Sequence, residues 1–237
     1  MAATRSDGRQ ARWDKHNETR RQQIIDAAMA AIEENEPGAD VKVQQIAAHA
    51  GISRTVIYRH FEDRADLDRA VQQSIIESLW RELHPAMSLD GTVPQIIRRI
   101  VGTYVGWAVA HPALHLAADH DPDGAVDGPL REGMERIATE VSQVVAAGML
   151  VLGGTLSEED ARALDPLVFG LVGAVFGVVR RWLTSSDRQL SADALEKLVA
   201  QSVWFVVDGH ARTFGLSIDP TMPVVELLEP ERLTTTP

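Results

Sequence analysis

Apolar residues between positions 43 and 61 recur at intervals of three and four, the spacing that places side chains on one face of an α-helix. They predict one short helix over 43–49 and a second over 54–61. Gly51 lies between the two, where a helix end favours a residue that tolerates positive φ. The segment therefore predicts two helices joined by a tight turn. The apolar positions are Val43, Ile46, Ala47, Ala50, Ile57 and Phe61.

The second helix leaves a polar and cationic set of side chains away from the core, and Ser53 precedes it as a predicted N-cap. Arginine can bond guanine bidentately, threonine and valine methyls can meet a thymine methyl, and tyrosine, arginine and histidine can hold phosphates. This chemistry predicts insertion into the major groove of DNA. The alternative is an ordinary helical hairpin with a solvated polar face. The exposed set is Arg54, Thr55, Val56, Tyr58, Arg59 and His60.

Residues 19–67 resemble the N-terminal domain of the TetR family of bacterial transcriptional repressors. The resemblance implies an all-α protein, in which an N-terminal three-helix DNA-binding domain with a helix-turn-helix precedes a C-terminal helical domain that binds a ligand and dimerises. It is carried by Ile24, Ala27 and Ala28, by IAAHAGIS at 46–53, and by IYRHFEDRADL at 57–67.

The resemblance also implies roles for single side chains. Gln44 is expected near a base edge, and Arg64 takes the place of a lysine that contacts phosphate. Lys42 stands where a threonine or serine is usual, which loses a capping hydroxyl and keeps a phosphate contact. The implied groove readers are Arg54, Thr55 and Val56, the implied backbone contacts are Tyr58, Arg59 and His60, and Ser53 opens the reading helix.

Further helices are predicted over 19–34, 66–87, 93–110, 130–153, 158–184 and 191–215, with a mostly irregular tail from Thr213. The predicted domains are a flexible basic arm over 1–18, a helix-turn-helix DNA-binding domain over 19–65, and a helical effector-binding and dimerisation domain over 66–237.

Charge is divided unevenly along the chain. Residues 1–64 hold ten Lys/Arg and ten Asp/Glu, so the remaining residues carry the whole net charge of −11. The acidity is therefore concentrated away from the predicted DNA-binding domain. The arm could lie along phosphates or in the minor groove, or it could be a solvated tail. Its cations are Arg5, Arg9, Arg12, Lys15, Arg20 and Arg21, against Asp7, Asp14 and Glu18.

Two long helices near the C-terminus are candidates for a dimer interface. LVFGLVGAVFGVV at 167–179 is an apolar run of 13 residues, short of the ~20 that span a bilayer, so no membrane partner is predicted. Glycines at 170, 173 and 177 give a small-residue face, and residues 191–215 are amphipathic. The pair resembles the family's dimer element, a four-helix bundle made by two subunits. The alternative is an internal pair of core helices.

Large apolar and polarizable side chains in the C-terminal part could line a cavity for a small, hydrophobic effector, either lipid-like or drug-like. Helical spacing places Tyr104, Trp107 and His111 on one face, which makes this trio the best candidate wall. Each residue taken alone is more often plain core. The candidates are Trp80, Tyr104, Trp107, His111, Phe169, Phe176 and Trp204.

Other functional classes find little support. The i,i+4 pair His111 and His115 suits two metal ligands, but Pro112 makes a continuous helix doubtful there. A solvated acidic loop or effector contacts are the alternatives, and no metal or cofactor is predicted. The sequence lacks a glycine-rich phosphate loop, a nucleophile elbow and an HExxH motif, so an enzyme is not predicted. The absence of cysteine excludes disulfides and suits a cytoplasmic protein. The carboxylates and imidazole near the pair are Asp119, His120, Asp121 and Asp123.

Overall fold

A computed structural model describes residues 4–119, 128–151, 158–187, 189–213 and 215–227. This part of the chain is all-α, and one isolated antiparallel bridge joins Thr92 and Pro223. The helices are α1 (Thr4–Glu33), α2 (Val43–His49), α3 (Arg54–Ile57), α4 (Arg64–Ala86), α5 (Val93–Ala110), α6 (Pro112–Ala118), α7 (Pro129–Val151), α8 (Glu158–Leu183), α9 (Ala192–Thr213) and α10 (Val224–Leu227).

The chain divides into two compact units. The N-terminal unit comprises Met1–Glu77 and His111–Leu130, and the C-terminal unit comprises Ser78–Ala110 and Arg131–Pro237. Helix α4 is continuous, so its first turns belong to one unit and its last turns to the other. The sequence placed a domain boundary at 65/66, where α4 begins, and did not assign 111–130 to the DNA-binding part.

The N-terminal unit is built around α1, which packs against α2 and α6. Its core contains Ile24, Ile57 and Leu67, which have no exposed surface, and Phe61, which is 1% exposed. Ile57 and Phe61 are therefore buried as the periodicity predicts. Complete burial of these side chains fixes the helix-turn-helix on α1 and α4 by the hydrophobic effect.

Two helices in this unit differ from the predicted bounds. Helix α1 begins at Thr4 rather than at 19, so the backbone of the expected flexible arm is helical from Thr4 onward. Helix α3 ends at Ile57 rather than near Phe61, and the backbone amides of Arg59 and His60 bond three residues back instead of four. These bonds are Arg59 N to Val56 O at 3.1 Å and His60 N to Ile57 O at 2.9 Å.

The C-terminal unit is organised by α5, which packs mainly on α9 and also contacts α8. The α5–α9 contact is close at Gly102, where an added Cβ would lie 3.1 Å from the Glu196 carboxylate. At the end of α4, the Arg99 guanidinium donates to the carbonyls of Ala86 and Asp90, at 2.9 Å each. The tail also joins this unit, since Val224 N donates to Gly91 O at 2.8 Å.

Candidate functional site

Helices α2 and α3 form a helix-turn-helix whose corner depends on Gly51. Its φ of +64° lies in the left-handed region, which favours glycine over every other residue. Behind it, Ile52 N donates to Ala47 O at 3.0 Å and closes the end of α2. The tight turn that the sequence predicts is therefore confirmed in both position and chemistry.

The beginning of α2 is capped differently from the expectation. Gln45 accepts the Lys42 backbone N–H through its side-chain oxygen at 2.8 Å. This bond is one half of a capping box, and the hydroxyl of a threonine or serine at position 42 would add the other half by accepting from the backbone N–H of Gln45. Lys42 and Gln44 are both exposed, as a contact to DNA requires.

The reading helix presents its polar residues outward. Arg54 and Thr55 are exposed, Val56 is half-buried, and Ile57 anchors the helix in the core. Ser53 has the extended backbone of an N-cap, but its hydroxyl makes no capping hydrogen bond, so this detail of the prediction is wrong. The side chain of Ser53 is exposed instead of being turned onto the helix end.

The residues after α3 lie among positive charges. Tyr58 and Arg59 are exposed, and His60 is half-buried. Burial, followed by the charges of Arg20 and Arg21, lowers the pKa of His60 below its ordinary value of 6.5, with smaller effects of His16 and Arg59. The free protein therefore favours a neutral imidazole surrounded by cations, an arrangement that an anionic phosphate would stabilise.

Arg21 holds the end of this region in place. Its guanidinium donates to His60 O at 2.5 Å and to Asp66 Oδ1 at 3.0 Å, and it lies 4.1 Å from the Phe61 ring centroid. The hydrogen bond from Arg21 is the main cause of the lowered pKa of Asp66. The sequence grouped Arg21 with the basic arm and missed this role, because its partners lie far along the chain.

Arg64 is already paired in the free protein. Its Nε donates to both Asp68 carboxylate oxygens, at 2.8 and 2.7 Å, and its Nη2 lies 3.7 Å from Asp40 Oδ1. The side chain remains 38% exposed. A phosphate contact by Arg64 would thus compete with two carboxylates.

The candidate effector residues are spread over both units. Tyr104 and Trp107 are buried on α5, but α5 ends at Ala110, so His111 leaves this helix and pairs with Glu33 in the N-terminal unit. The predicted trio therefore does not share one helix. Trp80 on α4 lies under the Arg136 guanidinium, 4.1 Å from its ring centroid. Half-buried positions on α8 and α9 hold Phe169, Phe176 and Trp204.

The suggested metal cluster falls only partly within the described residues. His111 and His115 are present there, with His115 only 1% exposed, whereas His120, Asp121 and Asp123 lie outside them. Among the described residues, no three His, Cys, Asp or Glu side chains are grouped as a metal ion would need.

Helix α8 is apolar and open. In the described part of the chain, Arg162–Leu183 has the length and composition to cross a membrane, and 11% of its most apolar window is buried. The 13-residue apolar run lies inside this helix, and length and composition alone are weak evidence for a membrane span. A Cβ added at Gly170, Gly173 or Gly177 would meet no atom within 4 Å. On α9, Leu198 and Phe205 are 55% and 61% exposed.

Comparisons with known proteins agree with this geometry. A family model described as bacterial regulatory proteins, tetR family, matches residues 24–71. An uncharacterized HTH-type transcriptional regulator of Mycobacterium tuberculosis is 26% identical over 215 residues, which cover 89% of this chain and 87% of the relative. The nucleoid occlusion factor SlmA of Marinomonas sp. is 27% identical over 170 residues, 70% of this chain and 84% of that protein.

Solved structures share the fold. A tetR-family transcriptional regulator from Streptomyces coelicolor has a TM-score of 0.61 at 19% identity and covers 89% of both chains. The regulator FadR from Bacillus subtilis, in complex with stearoyl-CoA, has a TM-score of 0.57 at 19% identity, over 79% of this chain and 98% of that one. The helix-turn-helix lies inside the matched residues, and the comparisons together support a DNA-binding transcriptional regulator of the tetR family.

Proposed function

We propose that this protein is a homodimeric repressor that binds a palindromic DNA operator in the cytoplasm and releases it when a small hydrophobic effector binds to the C-terminal unit. The observation that carries the proposal is the exposed face of α3 beside the glycine corner. Arg54 and Thr55 are free to reach base edges, while Tyr58 and Arg59 lie next to them for the phosphates.

A dimer follows from the small size of this face. One four-residue helix can read only a few bases, whereas two copies spaced by one DNA turn, ~34–36 Å, multiply the specificity. The open faces of α8 and α9 support a second copy as the partner. Gly173 and Gly177 would let another helix approach closely, and Leu198 and Phe205 would be buried by it. A lipid bilayer is the alternative occupant.

The effector is proposed to be aliphatic or lipid-like. The C-terminal unit provides aromatic side chains for such a ligand, with Trp80 and Trp204 only half-buried. The structurally similar FadR in complex with stearoyl-CoA makes stearoyl-CoA a reasonable first probe. Helix α4 would carry the response, since its backbone is continuous from Arg64 to Ala86. A 100-fold loss of operator affinity needs about 2.7 kcal/mol of coupling, or differential burial of roughly 100 Å² of apolar surface.

Selection of bound duplexes from a random-sequence pool tests the proposal. The full-length protein should enrich a palindrome with two half-sites about one turn apart. Native mass spectrometry of the same preparation should show a dimer, together with any ligand that co-purifies. Failure to bind any duplex at low ionic strength, with and without stearoyl-CoA, would refute the proposal and favour a helical protein-interaction module.

The direction of the response is a separate question, with two alternatives of the same class. A regulator that needs a corepressor would bind the selected duplex more tightly when ligand is added, and an activator would raise transcription when bound. Titration of the selected duplex with and without stearoyl-CoA distinguishes release from promotion, because a ligand shifts affinity only toward the state that it binds better.

A further inference from the structure

Arg64 differs from Arg54 and Arg59, two other arginines expected to contact DNA, because acidic side chains already hold it. Its Nε atom lies 2.8 and 2.7 Å from the two carboxylate oxygens of Asp68. A second carboxylate, that of Asp40, lies 3.7 Å from its Nη2 atom. Within the described part of the chain, Arg54 and Arg59 make no ion pair. The structure thus treats one of the three arginines differently.

The two carboxylates reach Arg64 from different elements of the N-terminal unit. Asp68 lies one turn further along α4, and its side chain is 31% exposed. Asp40 lies in the loop between α1 and α2, and its side chain is 81% exposed. Arginine uses the same planar set of N–H groups to bind carboxylate and phosphate oxygens. Asp68 therefore occupies a donor that a phosphate group of DNA could otherwise use.

The charge of this group of three side chains points in the same direction. One positive charge on Arg64 faces two negative charges, at distances of 2.7 Å for Asp68 and 3.7 Å for Asp40. The group as a whole is anionic, so it does not attract a phosphate from a distance although it contains a cation. A phosphate would gain the full contact with Arg64 only by displacing Asp68. Partly exposed ion pairs of this kind correspond to about a twofold to fivefold effect on an equilibrium constant.

We propose that Asp68 and Asp40 limit the affinity of this protein for DNA by competing with phosphate for Arg64, with Asp68 as the main competitor. The inference rests on the proposed DNA-binding function and deepens it, because it assigns a role in setting affinity to two acidic residues. Phosphate contacts carry no sequence information, so the limit applies to every duplex alike. A weaker sequence-independent contact leaves more of the binding free energy to the bases read by α3.

Removal of one negative charge at a time tests the proposal. The affinity of the full-length protein for a mixed-sequence duplex of about 40 base pairs is measured at about 50 mM salt. We expect Asp68→Asn to tighten binding about threefold to fivefold, and Asp40→Asn by about twofold or less, since Asp40 is more distant and more exposed. Asp26→Asn is the matched control, because Asp26 bonds to Gln22 on α1 instead of to a cation. It should change affinity by less than about 1.5-fold.

A second background shows whether the gain in affinity depends on Arg64. In the Arg64→Gln protein, Asp68→Asn and Asp40→Asn should each change affinity by less than about 1.5-fold, because the contested cation is absent. The Asp40→Asn pair of measurements keeps the test decisive if Asp68→Asn folds poorly.

Three results would overturn the proposal. An equal gain with and without Arg64 would mean that the carboxylates repel DNA directly. Weaker binding of Asp68→Asn would mean that Asp68 orients Arg64 toward phosphate, and unchanged binding would mean that the ion pair has no influence on DNA affinity. In each of these cases the unmodified protein still binds the duplex. Failure of the unmodified protein to bind it would overturn the proposed function as well.

Discussion

The two units of this regulator use their surfaces in opposite ways. In the N-terminal unit, Phe61 is 1% exposed and the outward positions are polar or cationic. In the C-terminal unit, Phe205 is 61% exposed on α9, although other residues of this helix are buried where it packs on α5. The first surface is complete in one copy and suits a polyanion, whereas the second leaves apolar area that suits another apolar surface. A phenylalanine is thus part of the buried core in the N-terminal unit, whereas in the C-terminal unit a phenylalanine lies on an exposed apolar surface.

Phe61→Ala should produce the largest effect on folding. Truncation of a fully buried phenylalanine costs about 3–5 kcal/mol, and here it also removes the ring beneath Arg21. Chemical denaturation of the full chain measures the loss. Phe205→Ala is the matched control, and it should change the unfolding of the monomer by less than about 0.5 kcal/mol. Equal losses for the two variants would remove the contrast between the units.

Phe205→Glu should dissociate the proposed dimer. A carboxylate at the centre of an apolar contact loses a buried aromatic and adds a charge that must be desolvated, worth about 2–4 kcal/mol. Sedimentation equilibrium should show dimer affinity weakened at least about 30-fold. Lys197→Ala changes the net charge on α9 by the same amount at an exposed, ion-paired position, and we expect it to remain dimeric. A dimer unaffected by Phe205→Glu would place the interface elsewhere.

Arg54→Ala and Arg64→Ala distinguish base recognition from phosphate binding within the surface of the N-terminal unit. Loss of Arg54 should cost about 1–3 kcal/mol and relax the choice of base at one position of each half-site. Loss of Arg64 should weaken the binding of all DNA sequences alike. The loss in affinity should be smaller than for an unpaired cation, because Arg64 is already paired with Asp68 and Asp40. Selections with each variant would show this, and equal, sequence-blind losses would refute the assignment.

Arg21→Gln should loosen the reading helix without removing a DNA contact. The change deletes bonds to His60 O and Asp66, for about 1–2 kcal/mol after allowance for partial exposure. The lowered pKa of Asp66 means that this stabilisation is present above pH 3.8 and is lost as pH falls through the folded value. Acid unfolding of Arg21→Gln should therefore show a weaker pH dependence than that of the unmodified protein. An identical pH dependence would contradict the stabilising role of the Arg21–Asp66 pair.

His49 gives the smallest expected effect, with the opposite pH dependence. Its ring nitrogens lie 3.0 Å from Gln45 O and 2.9 Å from Glu34 Oε2, so only the protonated ring donates to both. These bonds raise the pKa of His49 above 6.5. Their stabilisation is complete below pH 6.5 and is lost as pH rises through the folded value. The thermal stability of His49→Gln should therefore not fall as pH rises through this range. A pH profile identical to that of the unmodified protein would contradict a stabilising role for protonated His49.

Strong periodicity bounded by clear breaks allowed accurate prediction of the helices. α2 and α5 have the predicted bounds because Gly51 ends one region and His111–Pro112 ends the other. The start of α1 was missed because residues 4–18 lack an apolar stripe. Helix α6 was missed because Pro112 was interpreted as a break, whereas it stands at the start of this helix, where proline is tolerated. The Arg21–Asp66 pair joins residues 45 positions apart, a contact that only the fold creates.

The exposed reading residues could also be predicted, because exposure follows from the spacing of the buried ones. The ion pairs of these residues could not be predicted from the sequence. Arg64 was expected to contact phosphate, and in the structure it pairs with Asp68 and Asp40. The prediction that Tyr104, Trp107 and His111 share one helix face was wrong for a similar reason. Helix α5 ends at Ala110, so His111 does not lie on the same helix as Trp107. Roles in DNA and ligand binding remain predictions for all of these side chains.

A titration by fluorescence anisotropy tests the central claim most directly. The unmodified protein is titrated at fixed salt with its best selected duplex and with a shuffled duplex of equal length and composition. If α3 reads bases in the major groove, the selected duplex should bind at least about 1,000-fold more tightly. Equal affinity for the two duplexes, or no binding to either, would contradict a sequence-specific helix-turn-helix regulator.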